Sequence, residues 1–351
     1  MGLNILKVLG LSGIGFFIGI LITPVLTHYL YKYKAWKKTG NIKAISGEEA
    51  TVINKLHSER QISTPRMGGV LVWVSLVLII FIFWTASKIF PGDLAQKLNF
   101  LSRSQTWLPL FTLVSAAMIG LLDDVLQVRG KGKYIAGGLS LKKRIILVVL
   151  IGLIGALWFY YKLEVSSILI PFGENFDIGW LFVPFFITVM LATFSGGVID
   201  GLDGLSGGIF ASIFAAYSGI AFFQNQIDLA AFCAVLTGSI LAFLWFNIPP
   251  ARFYMGETGV LGLTTTLTVV AFLTNSVLVL PIIALPLAVA SGSDIIQLFS
   301  KRFLKKKIFM AAPIHHHFEA KGWPSYKVTM RFWVISVVFA IIGMVIALAG
   351  K

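Results

Sequence analysis

Apolar residues dominate ten stretches of this chain, at about residues 9–31, 68–90, 107–122, 145–161, 180–198, 207–223, 229–246, 260–274, 277–299 and 332–349. Each is apolar around the whole helical circumference instead of along one stripe. A helix needs roughly 20 such residues to cross about 30 Å of hydrocarbon, so each stretch predicts a membrane-spanning helix. The third and eighth are short and broken by small or polar residues, which predicts that they sit inside the bundle. The first is too long for a signal-peptide core and has no small-residue cleavage site after it, so it is expected to be retained. The fold class is therefore an all-α polytopic membrane protein of ten transmembrane helices, with residues 1–351 forming a single integral-membrane domain.

Composition agrees with the pattern. The chain is 57% hydrophobic and 13% charged, against roughly 25% charged in an ordinary soluble domain. Aromatic residues at 13% exclude disorder, and the lone Cys233, inside an apolar run, excludes a disulfide scaffold. Ten spans sort the connecting loops onto two sides. Of 29 Lys and Arg, all but Lys7, Lys88, Lys97, Arg103, Lys162 and Lys351 fall on one side. That side is expected to be cytoplasmic, which puts both termini outside, in the periplasmic or extracellular space. The net charge of +14 then follows from topology and attraction to anionic headgroups, not from a nucleic-acid surface. Phe299–Phe309, with Lys301, Arg302 and Lys305–Lys307 beside Phe303, Leu304 and Ile308, reads as an interfacial anchor.

Acidic residues are scarce, and several collect on the basic side. Asp123 and Asp124 end the third span, Asp200 and Asp203 lie in the turn after the fifth, and Glu257 precedes the eighth. His315, His316 and His317 lie in the last basic loop. Two adjacent carboxylates at a helix C-terminus are opposed by the helix dipole and by each other, a conflict that a cation relieves. Mg²⁺ favours oxygen ligands and substrate phosphates, so a metal or acid–base site is favoured over solvated loop charge. Asp200-Gly-Leu-Asp203 is equally readable as a ligand site and as a capped turn with Asp203 as N-cap. Glu257 could be simple charge at a helix start. Adjacent histidines in an extended chain point to opposite sides, so all three on one metal is not expected. One of them in phosphate contact or proton transfer suits their chemistry. Acids gathered at one face, instead of at the bilayer midplane, disfavour a transporter.

In order along the chain stand Thr64-Pro-Arg-Met-Gly-Gly69, Asp123-Asp124, Asp200-Gly-Leu-Asp-Gly-Leu205, Asn247-Ile-Pro-Pro-Ala-Arg-Phe-Tyr-Met-Gly-Glu-Thr-Gly259 and Pro313-Ile-His-His-His-Phe-Glu-Ala-Lys-Gly-Trp323. Together they resemble the motifs of the polyprenyl-phosphate N-acetylhexosamine-1-phosphate transferases. The last resembles the signature of the phospho-N-acetylmuramoyl-pentapeptide transferases within that superfamily. The resemblance covers essentially the whole chain. It implies transfer of phospho-MurNAc-pentapeptide from UDP-MurNAc-pentapeptide to undecaprenyl phosphate, giving lipid I and UMP. It also implies a Mg²⁺ cofactor, a bacterial plasma-membrane location in contact with membrane lipid, and a homodimer as a candidate assembly.

The resemblance further implies roles. Asp123, Asp124, Glu257 and His315–His317 take the catalytic positions. Asp200, Asp203, Asn247, Tyr254, Arg60 and Thr64 take substrate-binding ones, Tyr254 as a ring for uracil stacking. Glu257, Asp123, Asp124 and Asp200 take metal-binding ones. Departures stand at Gln61 and Gln127, where lysines are usual, at Phe194 and Gly197 in place of asparagines, at Glu257 in place of Asp, and at Val260 in place of Ser. They keep two other readings open: a sister transferase using another UDP-amino-sugar, and a catalytically silent relative that binds the lipid carrier.

Overall fold

The computed structural model describes residues 1–38, 62–90, 92–102, 104–130 and 138–351. Nine helices among these residues are long and apolar enough to cross a membrane: α1 (Gly2–Lys32), α2 (Val70–Ile89), α3 (Trp107–Arg129), α4 (Leu141–Lys162), α5 (Gly179–Ile199), α6 (Leu205–Phe223), α7 (Ile227–Asn247), α8 (Gly256–Leu273) and, last in the chain, α10 (Ser325–Ala349). Between α8 and α10 lies a broken helix, α9, whose halves Val277–Ile283 and Leu285–Leu304 meet at 84°. With α9 counted as one span the total is ten, and the chain is a polytopic membrane protein.

Three sequence expectations need correction. The ninth stretch is not a straight helix. Pro286 opens the second half of α9; it lacks an N–H and its ring crowds the carbonyl four residues back, so the helix cannot run through. The chain is not wholly helical, because Ser167–Leu169 and Asn175–Asp177 pair as a small antiparallel hairpin between α4 and α5. The third span does not stop before the acidic pair. α3 continues to Arg129, where Gly130 closes it in the left-handed conformation (φ 63°), so Asp123 and Asp124 lie within the helix.

The expectation that the eighth stretch lies inside the bundle holds. In α8, 89% of the most apolar window is buried, against 78% in α6 and α7, 50% in α3 and 28% in α1 and α10. Threonines at 264, 265, 266 and 268 fit this buried place because all but Thr266 return their hydroxyls to carbonyls of their own helix. α8 packs along α3, α7 lies between α6 and α1, α10 flanks α6, and α4 pairs with α5. Around these contacts lies a core rich in Phe, with Phe210, Phe214, Phe232, Phe243 and Phe253 all fully buried. Cys233 is buried there too, as its apolar context predicts.

Candidate active site

The site is built around the N-terminus of α8. Gly120 of α3 lies directly against the Glu257 backbone, where any Cβ would collide. That close approach brings the next turn of α3 level with the first amides of α8. Asp124, fully buried, accepts hydrogen bonds from the N–H groups of Glu257 (3.1 Å) and Thr258 (3.0 Å). A carboxylate there satisfies amides that have no partner within their own helix and faces the positive end of its dipole. Gly256 makes this possible: its φ is +72°, and a Cβ would meet the Asp124 carboxylate. Arg66 Nε lies 3.5 Å from the same carboxylate.

Asp123, one residue earlier, faces elsewhere. Its Oδ2 accepts from Gln127 Nε2 at 2.8 Å and pairs with Arg144 at 3.0 Å, and its Oδ1 accepts from the Leu139 amide. The other terminal nitrogen of Arg144 binds Glu257 Oε1 at 2.7 Å. One guanidinium at the start of α4 thus joins a carboxylate of α3 to one of α8.

Asp200 follows the last turn of α5. Ser206 donates to it at 2.7 Å and the Gly256 amide at 3.3 Å, which links the loop after α5 to the start of α8. Burial raises the Asp200 carboxyl above the usual carboxylate range, against the lowering effects of Ser206 and Arg66. Asp203 accepts from the Ala251 amide at 3.1 Å and gives its own carbonyl to Thr329 of α10. Asn247, 1% exposed, accepts from the Gly204 amide at 2.9 Å and donates to the Phe253 carbonyl at 2.8 Å. Both termini of its amide are therefore engaged in holding two loops together.

The histidine run is helical, Ile314–Ala320, and not extended as the sequence expectation supposed. Ser293 receives the Ile314 amide and Gln297 clamps Ile308 and Phe309, so the second half of α9 positions this segment. Phe318 stacks on Trp323 at 4.9 Å, and the Arg331 guanidinium covers Trp323 at 4.2 Å. His315 and His316 are buried, and both imidazoles lie against Gly201, beside Asp200. His316 Nδ1 is 2.7 Å from Glu319 Oε2. His317 turns away to accept from the Met310 amide at 3.1 Å, and partial burial with Lys321 nearby lowers its imidazolium below the ordinary value.

Of the residues singled out from sequence, Asp123, Asp124, Asp200, Glu257, His315 and His316 therefore gather along one rim. Tyr254 lies at its edge, exchanging backbone hydrogen bonds with Pro65 and Gly68, and Thr64 is half-buried next to Pro65. Arg60 and Gln61 lie outside the described residues. Three cations went unrecognised: Arg66, Arg144 and Lys37. They were lost among the many Lys and Arg that topology places on that side. Lys37 follows α1, and its ammonium feels the charges of Arg66, Glu257, Asp124 and Arg144; burial, then Arg66, brings it down to about 7.

No three His, Cys, Asp or Glu side chains among the described residues are close enough to hold one ion together. The four carboxylates expected to share a metal do not form a cage, because Asp124 is turned to the α8 amides and Asp200 to Ser206 and Gly256. Asp123 and Glu257, drawn to one guanidinium, are the pair whose oxygens fit a hard cation. Mg²⁺ commonly takes only one or two protein carboxylates and completes its shell with phosphate and water. Two of the sequence departures meet directly: the Val260 side chain fills the space that a side chain at Gly197 would need.

A bundle of apolar helices with a charged rim of carboxylates, guanidiniums and imidazoles defines an integral-membrane protein with a polar site at one end of its helices. The family described as Glycosyl transferase family 4 matches residues 106–275, which hold α3 to α8 and most of this rim. The phospho-N-acetylmuramoyl-pentapeptide-transferase of Pelagibacter ubique is 31% identical over 97% of this chain and 94% of its own length. Those of Rickettsia massiliae (33%; 98% and 91%) and Bacillus subtilis (30%; 95% and 95%) are similar over comparable shares. The chain belongs to the phospho-N-acetylmuramoyl-pentapeptide transferase family.

Proposed function

We propose that the protein transfers phospho-MurNAc-pentapeptide from its UDP carrier to undecaprenyl phosphate, releasing UMP and leaving lipid I for peptidoglycan synthesis. The observation that carries this reading is the rim itself: residues from six separate elements meet at one end of the bundle, with guanidiniums between the carboxylates. An oxygen of the lipid phosphate attacks the sugar-bearing phosphorus, and the bond from that phosphorus to the bridging oxygen breaks, its electron pair leaving with UMP. Such a reaction gathers several negative charges, and catalysis consists mainly of positioning and neutralising them.

Each residue then has a task. Arg144 holds Asp123 and Glu257 at a fixed separation, and Arg66 and Asp124 fix the first turn of α8 beneath the phosphates. His315 and His316, seated on Gly201 next to Asp200, offer imidazoles to the sugar or phosphate side. Mg²⁺, held by Asp123 and Glu257, would supply charge neutralisation on the phosphates. The nucleophile is already largely ionised at neutral pH, so placement matters more than a strong base.

A lipid substrate also needs an apolar berth. A groove of about 460 Å³ lies between α5 and the bend of α9, lined by Phe185, Val189, Leu280, Pro281, Ala288 and Ile295 among others. It reaches Ser195, one turn before Asp200, which suits an isoprenoid tail whose phosphate must arrive at the rim. The excess of Lys and Arg in the loops beside the rim supports a rim facing the cytoplasm of a bacterial plasma membrane, with both termini outside.

Incubation of the purified protein with Mg²⁺, undecaprenyl phosphate and radiolabelled UDP-MurNAc-pentapeptide tests the reading. Labelled lipid and UMP in equal amounts are expected. Lipid product from UDP-GlcNAc instead would assign the sister reaction, and no UMP from either donor would reject both.

A further inference from the structure

Three cations line the rim, and two of them are occupied. Arg144 spends one terminal nitrogen on Asp123 and the other on Glu257, and Arg66 faces Asp124. Lys37 is different. Its ammonium is within reach of the fields of all three carboxylate-bearing partners named above it except Asp123, namely Asp124 and Glu257, yet it forms no ion pair or hydrogen bond with any described residue.

Backbone geometry fixes its place. The Arg66 amide donates to the Ala35 carbonyl at 2.7 Å, tying the segment after α1 to Thr64-Pro65-Arg66. That stretch is tied in turn to the start of α8 by the pairs Tyr254–Pro65, Gly68–Tyr254 and Gly69–Met255, each 2.8 Å. On its other side, the Lys38 side chain lies over Gly130 at the end of α3. The backbone at Lys37 thus runs between Arg66 and the end of α3, which also carries Gln127, one of the two positions where the resemblance predicts a lysine and the chain has none.

Three cations held this close repel one another, and a half-buried ammonium with no acceptor among the described residues has lost hydration without replacement from them. An anion bearing several oxygens resolves both conflicts, since an ammonium has three donors to give. We propose that Lys37 is a substrate-binding residue that receives a phosphate group, from the lipid phosphate or from the diphosphate of the UDP-sugar, in place of the lysine absent at Gln127. Lys37 lies outside every motif that carries the family resemblance. The proposal rests on the transferase reading above for the identity of the phosphate.

The test uses the full chain in phospholipid nanodiscs, with Lys37→Ala and Lys37→Arg. Lys37→Ala is expected to melt with the wild type but to lose about a hundredfold in kcat/KM, the usual scale for removing one charge-stabilising donor. Lys37→Arg keeps the charge and should restore most of it. A rise in KM for undecaprenyl phosphate alone would assign the lipid phosphate, and a rise for the UDP-sugar alone would assign the diphosphate. Unchanged kcat and unchanged KM for both substrates in Lys37→Ala would overturn the proposal. Binding of inorganic pyrophosphate, measured by calorimetry on the same samples, separates the two readings. A wild type that makes no lipid product but binds pyrophosphate through Lys37 would sink the transferase reading and keep the seat. Pyrophosphate bound equally by wild type and Lys37→Ala would sink the seat.

Discussion

The two ends of the helix bundle treat their polar residues in opposite ways. Away from the rim, the ionic and amide groups that join the helices find their partners within the chain. Lys7 of α1 binds Asp228 at the start of α7 at 2.6 Å and gives a second hydrogen bond to the Asn99 carbonyl. Gln224 and Gln226 cap the end of α8 by donating to the Thr274 and Leu273 carbonyls, both at 2.9 Å. At the rim, by contrast, Arg144 is divided between two carboxylates, and Lys37 has no acidic partner of its own among the described residues. Polar contacts completed between helices mark an end that holds the bundle together. Shared and unmatched charge marks an end arranged for something that is not part of the chain.

Substitutions that break this contrast should separate activity from stability. Asp124→Asn has the largest expected effect. It removes the charge opposite Arg66 and sets an amide N–H against two amide donors of α8, where charge-assisted bonds contribute about 1.5–3 kcal/mol each. Turnover should fall about 10³-fold in the radiolabelled transfer assay, with a lower melting temperature. Full activity would remove Asp124 from the site.

Lys7→Met at the opposite end should do the reverse. Leaving Asp228 unpaired, with Asp228 26% exposed and Lys7 8%, should cost about 2 kcal/mol of stability, read as a lower midpoint in a detergent melt. kcat and KM should not change. A loss of turnover without loss of stability would erase the distinction between the two ends.

The smallest effect concerns Gly197 and Val260. Gly197→Asn alone should slow the enzyme a fewfold, because the new side chain meets Val260. Adding Val260→Ser should recover that loss, since the pair then matches in size and polarity. Equal penalties in the single and double variants would show that the two positions are not coupled.

Much of this architecture was legible in the sequence, and the failures have physical causes. Spans were readable because lipid imposes one length and one polarity on each helix, and the placement of α8 followed from its small and hydroxyl-bearing residues. The bend in α9 was not read, although Pro286 was in plain view, because prolines occur in straight spans when neighbours satisfy the freed carbonyl. The acidic pair was misplaced at a helix end because the apolar run stops at Leu122 while the helix continues for two turns under polar residues. Asp123, Asp124, Asp200 and Glu257 stood out by scarcity. Arg66, Arg144 and Lys37 could not, since a cytoplasmic-type loop is full of cations and only tertiary contact distinguishes one from another. The histidine segment was read as extended because nothing in three adjacent imidazoles reveals the helix that Ser293 and Gln297 position.

The central proposition is that Asp123, Arg144 and Glu257 work as one unit around the reacting phosphates. A double-mutant cycle of Arg144→Ala and Glu257→Ala, read as kcat/KM in the lipid transfer assay, tests it most directly. Each single variant should lose about 10²-fold or more, and the double variant should be scarcely worse than Arg144→Ala. Losses that multiply in full would mean that the guanidinium and the carboxylate act independently, and the shared site described above would be wrong.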